Sequence, residues 1–230
     1  MKQWLFFLFV VSPMLLFGQQ EEQLAAQYLS NKEYDKAADI YDRLYNKGNR
    51  SMYIYSNLLS CYFHLNKPEE AEQLVKKQQR KFEQNAYYKV DLGYVYEYFN
   101  KKDKAEKVYN EIVQRLINSQ EVVSETANAF RKRDKIDYAL LVYKKARKMS
   151  GTDWLYALEM AQLYADKRET DLMLEEYLAA LKQDTRMIED VQGFLQLYLD
   201  NDADYNKFKQ VLLKKVREFP ASELYTEMLV

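Results

Sequence analysis

Cys61 and His64 are the only cysteine and the only histidine of this 230-residue chain, and they stand three residues apart. On a helix that spacing makes them neighbours. A thiol beside an imidazole could begin a zinc site or a nucleophile–base pair, but a structural zinc needs four ligands and a catalytic pair needs a third group to orient the base. The sequence offers neither completion. No Gly-rich phosphate loop, metal-ligand cluster or nucleophile elbow occurs elsewhere, so a non-catalytic protein without cofactor or metal is expected, with Cys61 a small apolar side chain between helices. The stretches Lys101-Lys102-Asp103-Lys104 and Arg131-Lys132-Arg133-Asp134 read as solvated turns. The remaining chemistry is aromatic. Twenty-one tyrosines and 11 phenylalanines could supply contact area at low entropic cost.

The elements that would carry these side chains are helical. Five glycines and three prolines are too few for the turns of an all-β protein. The 48% hydrophobic and 30% charged content is that of an ordinary globular chain. Thirty-four basic and 35 acidic side chains leave a net charge of −1; with no basic excess to neutralise phosphates, a nucleic-acid partner is not expected.

The N-terminus reads differently from the rest. One lysine precedes a nearly continuous apolar run from Trp4 to Phe17, and Gly18-Gln19-Gln20-Glu21-Glu22 is abruptly polar. The run would be about 21 Å long as a helix, short against a hydrocarbon core of about 30 Å. A secretory signal peptide over residues 1–19 is expected, cleaved near Gly18 or Gln19, with an uncleaved anchor as the alternative. No cysteine follows that could take a lipid. An exported protein of the periplasm or cell envelope follows, with no membrane span after signal removal.

Ala37, Ala71, Ala105 and Ala139 recur every 34 residues. With each alanine set at place 20 of its repeat, Tyr28, Tyr62, Tyr96, Phe130, Tyr164 and Tyr198 all fall at place 11, and Tyr41, Tyr109, Tyr143 and Tyr177 at place 24. The register continues through Met173 and reaches Lys207 at place 20 of a degenerate sixth repeat. Small side chains would let two antiparallel helices cross closely while rings fill the space beside them. Asn66 before Pro68 reads as a helix entry, and Gly48 and Gly151 as helix stops. Pro220-Ala221-Ser222 reads as a stop and cap before a last helix over residues 220–230, which either caps the array or opens a further repeat.

These residues resemble the tetratricopeptide repeat family, over roughly residues 20–219. The resemblance implies an all-α fold, a right-handed helical-repeat solenoid of stacked antiparallel helix pairs with about six repeats. It also implies a concave face lined by places 2, 5, 9, 12 and 13 of each first helix. On this chain those are Tyr53, Ser56, Ser60, Phe63 and His64, then Tyr87, Val90, Tyr94, Glu97 and Tyr98, then a polar set that includes Asn128, Arg131 and Lys132. Tyr53, Phe63, Tyr87, Tyr94, Tyr98, Asn128, Arg131 and Lys132 are the candidate partner-binding residues. Glu22, Ala26 and Ser56 lack the chemistry of the family's chaperone-tail clamps. A peptide or protein ligand on a non-catalytic scaffold is therefore expected, with a glycan-binding module as the alternative. Ten tyrosines have structural places in this reading, among them Tyr34 in the turn before a second helix, and eleven are left for the surface.

Overall fold

The computed structural model describes residues 18–199, 201–221 and 223–229; the expected signal peptide over residues 1–19 lies largely outside them. The chain divides into two compact units, the first ending at Ile112 and the second beginning at Val113. The first holds α1 (residues 18–30), α2 (Tyr34–Asn46), α3 (Met52–His64), α4 (Pro68–Lys81), α5 (Ala86–Tyr98) and most of α6 (Lys102–Gln114). The second holds α7 (Gln120–Lys132), α8 (Ile136–Ser150), α9 (Ala157–Asp166), α10 (Thr170–Gln183), a 3-10 turn (Thr185–Met187), α11 (Ile188–Tyr198), α12 (Asp202–Glu218) and α13 (Glu223–Glu227). Strands are absent among the described residues. No helix there is long and apolar enough to cross a membrane.

The turn inside each repeat is the most regular feature of the backbone. Lys32, Asn66, Asn100, Asp134 and Arg168 all have positive φ, between 53° and 62°, and they too are 34 residues apart. Each lies between the two helices of a pair, and the N–H of the residue after it bonds to the carbonyl of the place-11 aromatic: Glu33 to Tyr28, Lys67 to Tyr62, Lys101 to Tyr96, Lys135 to Phe130 and Glu169 to Tyr164. This is a Schellman closure, which uses a left-handed residue to satisfy the last carbonyls of a helix. The place-11 residue thus has two duties, its ring in the core and its carbonyl in the turn. Asn66 is accordingly the stop of α3 and not the entry to α4. Lys67 is the N-cap, and Pro68 takes the first helical position as expected.

Asparagine and aspartate tolerate left-handed φ, whereas lysine and arginine carry a penalty of about 1–2 kcal/mol. Lys32→Gly is therefore expected to stabilise the first unit by roughly 0.5–1 kcal/mol, after glycine's entropic cost is set against the relieved strain. The measurement is the urea midpoint. Asn66→Gly should give a smaller gain; an unchanged or lower midpoint for Lys32→Gly would remove this account of the turn.

The alanine places behave as small residues between helices should. Ala37, Ala71, Ala105 and Ala139 are buried, Met173 is 2% exposed, and only Lys207 is exposed. At place 24, Tyr41, Val75, Tyr109, Tyr143 and Tyr177 are all buried. Polar atoms inside the first unit are paired: Tyr45 Oη donates to Gln78 Oε1 at 2.7 Å, Gln78 Nε2 to the Arg50 carbonyl at 3.1 Å, and Tyr55 Oη to Asp91 Oδ2 at 2.7 Å. Cys61 is fully buried, and desolvation pushes its thiol up to about 11. Gly151 ends α8 in the left-handed region, and Gly48, also at positive φ, follows α2.

The division of the tyrosines changes. Of the eleven left for the surface, Tyr45, Tyr55, Tyr88, Tyr156 and Tyr225 are buried. Two of them bridge equivalent helices of neighbouring repeats: Tyr45 reaches Gln78 from α2 to α4, and Tyr55 on α3 meets Tyr88 on α5 edge-on at 5.0 Å. Conversely, Tyr198 at place 11 is 37% exposed. Tyr34 opens α2 and is not part of the turn.

Candidate functional site

The inner face of α3 is spent on the core through Ile54, Tyr55, Leu58, Leu59, Cys61 and Tyr62. Its other face leaves Tyr53, Ser56 and His64 exposed and Ser60 and Phe63 half-buried. Cys61 and His64 therefore diverge: the thiol is in the core, while the imidazole stacks on Tyr34 at 4.1 Å with the planes 9° apart. Their spacing does not assemble a ligand pair. Among the described residues no group of three His, Cys, Asp or Glu side chains could hold a metal ion.

Phe63 is the centre of an aromatic cluster. Tyr98 stacks on it at 4.3 Å and 28°, Tyr94 meets it edge-on at 5.6 Å, and Phe99 lies 5.8 Å away. The Tyr98 hydroxyl reaches to 3.5 Å of the Phe63 carbonyl, and Tyr98 remains 45% exposed. Tyr94 and Tyr98 are 6.5 Å apart with their planes inclined by 49°. Three of the candidate residues, Phe63, Tyr94 and Tyr98, are thus brought together by facing turns of α3 and α5. Phe99, one residue beyond α5, completes the cluster and has no surface signal in the repeat register.

The other candidates stand apart from that centre. Tyr53 is 48% exposed and meets Tyr41 edge-on at 6.4 Å. Tyr87 is half-buried on the first turn of α5, its N–H accepted by Asn85 Oδ1 at 3.0 Å. Val90, placed on the concave surface by resemblance, is fully buried. Asn128, Arg131 and Lys132 are exposed on α7 in the second unit. Arg131 Nε lies 3.6 Å from Asp166 Oδ2, and a recess of about 50 Å³ opens beside Asn128, Arg131 and Glu159.

The second unit also holds two larger cavities. One, of about 520 Å³, is lined by Trp154, Tyr156, Glu159, Asp184 and Arg186 among others. The second, of about 470 Å³, lies where the α9–α10 turn faces the end of α11 and the start of α12.

A family model described as PPR repeat matches residues 53–77, which cover α3 and much of α4. No curated protein matches the chain. Solved structures similar to it include a thermophilic TPR protein of Thermus thermophilus, 16% identical with a TM-score of 0.38, covering 79% of this chain and 98% of that one. Another is pilF of Pseudomonas aeruginosa, 18% identical with a TM-score of 0.36, covering 92% and 96%. A third is the C-terminal part of a TPR repeat-containing protein from Cytophaga hutchinsonii, 13% identical with a TM-score of 0.32, covering 91% and 99%. Within the chain itself, the left-handed turn and the buried alanine recur at one 34-residue interval. The fold is that of a tetratricopeptide-type repeat protein. Stacked helix pairs of this kind present a row of side chains from successive first helices.

Proposed function

We propose that the protein is a non-catalytic interaction scaffold, exported to the periplasm or cell envelope, that binds a peptide or protein segment across the exposed face of α3 and α5. The observation that carries this reading is the cluster of Phe63, Tyr94, Tyr98 and Phe99, where a half-buried phenylalanine anchors two tyrosines at a solvent-facing surface. Rings held in place by one another lose little entropy when a ligand docks. In this reading Tyr53 and Tyr87, on the first turns of the same two helices and apart from the cluster, are further ligand contacts, and Asn128, Arg131 and Lys132 are a polar contact set of the second unit. Export rests on the apolar run before Gly18. A glycan would favour coplanar exposed rings, and the 49° between Tyr94 and Tyr98 weighs toward a peptide.

The test is affinity capture from envelope extract with the wild-type chain and with the triple variant Tyr87→Ala, Tyr94→Ala, Tyr98→Ala, its thermal midpoint checked beforehand. Loss of the captured partner by about tenfold or more is expected from removal of aromatic anchors. Unchanged capture by the folded triple variant would refute this surface.

A further inference from the structure

Place 20 is small or apolar in every repeat of this chain except the sixth, where it is Lys207. A lysine cannot be buried unpaired at a helix crossing. Lys207 stays exposed, α12 packs on α10 and α13, and the 470 Å³ cavity is left at the place where a small residue would have let helices close. Its wall carries Asp166, Arg168, Thr170, Tyr198, Asp204 and Lys207.

The charges on that wall are not equally engaged. Asp166 is 3.6 Å from Arg131, and Asp204 accepts from Thr170 Oγ1 at 3.2 Å and from Asn201 Nδ2 at 2.7 Å. Arg168 and Lys207 form no ion pair among the described residues. Behind the wall Tyr177 is fully buried, yet its hydroxyl has no hydrogen-bond partner. Burial first, and then the nearby Tyr198 and Asp166, both on the cavity wall, raise the pKa of this phenol. A buried hydroxyl without a partner forfeits about 1–3 kcal/mol; this one does not line the cavity, whose wall carries its neighbours Tyr198 and Asp166.

We propose that this cavity is a binding site for a sugar acid, a pyranose ring bearing a carboxylate. The two unpaired cations answer the carboxylate with charge-assisted hydrogen bonds. The carboxylates of Asp166 and Asp204 have remaining lone pairs to accept from ring hydroxyls, and the hydroxyl of Thr170 completes the polar set. Tyr198 and Leu197 offer an apolar wall to the ring face. A bare carboxylate would meet the two aspartates without satisfying them, and a neutral sugar would leave both cations unanswered. The volume lies within the range of small-molecule sites, roughly 300–1,000 Å³.

The experiment is calorimetric titration of the full chain with D-glucuronate, D-galacturonate, glucose, acetate and a uronate oligosaccharide. Uronates should bind at least about tenfold more tightly than glucose or acetate, the value of a charge-assisted bond. Lys207→Ala should weaken uronate binding by about tenfold, whereas Tyr177→Phe, behind the wall, should leave it unchanged. Both should fold as well as wild type or better, since the first restores alanine to place 20 and the second removes the unpartnered hydroxyl. An oligosaccharide that binds more tightly than the monomers identifies a polysaccharide as the source of the ligand. Equal affinity identifies a free sugar acid, and either result supports the site. Acetate titrating as well as glucuronate, no uronate binding at millimolar concentration, or wild-type affinity in folded Lys207→Ala would overturn the proposal.

Discussion

Gly93→Ala is expected to destabilise the protein although it adds helix propensity. Gly93 sits inside α5 at place 8, and an added methyl would lie 2.6 Å from Tyr109 Cδ1 and 2.8 Å from Cζ, with Cε1 nearer still. Tyr109 is 3% exposed, and its hydroxyl is tied to Glu97 Oε2 at 3.1 Å. The ring therefore cannot swing aside without losing its bond and opening the core. Overpacking of this kind costs about 3 kcal/mol, and alanine returns about 1 kcal/mol in an exposed helix. A net loss of about 2 kcal/mol lowers the thermal midpoint by roughly 4–8 °C. Tyr109→Leu should itself cost stability, but the two changes together should cost less than their sum. A double-mutant cycle measures that coupling; a neutral Gly93→Ala would mean that α5 and α6 can part freely.

The same position shows what is legible in the sequence. A glycine at place 8 and an alanine at place 20 are readable because small residues at a helix crossing recur with the helices themselves, and the place-24 ring is readable as the body that fills the space beside them. The left-handed turn is not readable. Its five positions are Lys32, Asn66, Asn100, Asp134 and Arg168, none of them glycine, because the closure onto the place-11 carbonyl imposes the conformation whatever the side chain. Asn66 accordingly reads as a helix start in the sequence and is a helix stop in the fold.

The aromatic surface is legible in part, for a related reason. Repeat register distinguishes one face of a helix from another, and it places Phe63, Tyr94 and Tyr98 together. It does not say which flank of a first helix meets the preceding helix, and so Tyr55 and Tyr88 read as surface although they bridge helices inside the first unit. Phe99 follows the last helical residue of α5, beyond the reach of helical periodicity. The cavity beside Lys207 has a visible cause, the lysine at place 20, which in the sequence reads only as decay of the repeat. The unpartnered hydroxyl of Tyr177 depends on tertiary packing that no pattern of residue types reports.

In the second unit the largest single loss is expected at Arg147. Its guanidinium forks onto Glu176, Nη1 to Oε1 at 3.0 Å and Nη2 to Oε2 at 2.8 Å, while Nε donates to the Leu155 carbonyl at 2.9 Å. The two side chains are 16% and 13% exposed, so water screens the pair weakly and cannot fully replace either partner. The arrangement holds three pieces of chain at once: α8, α10 and the connection that runs from left-handed Gly151 to left-handed Tyr156. Arg147→Ala leaves a nearly buried carboxylate and a peptide carbonyl without donors, which costs about 3 kcal/mol. Arg147→Lys should recover little, because an ammonium cannot reproduce the fork and the Nε bond together. Replacing both partners is a different matter, since the cost of desolvating them disappears with the charges. Arg147→Met with Glu176→Leu should lie within about 1 kcal/mol of wild type. Urea unfolding of the three variants, with hydrogen exchange read at residues 152–157, separates the alternatives. A double variant as unstable as Arg147→Ala would show that the fork and the bond to the Leu155 carbonyl contribute net stability that apolar side chains of similar volume cannot replace, and faster exchange at residues 152–157 in Arg147→Ala alone would show that the guanidinium fixes the connection.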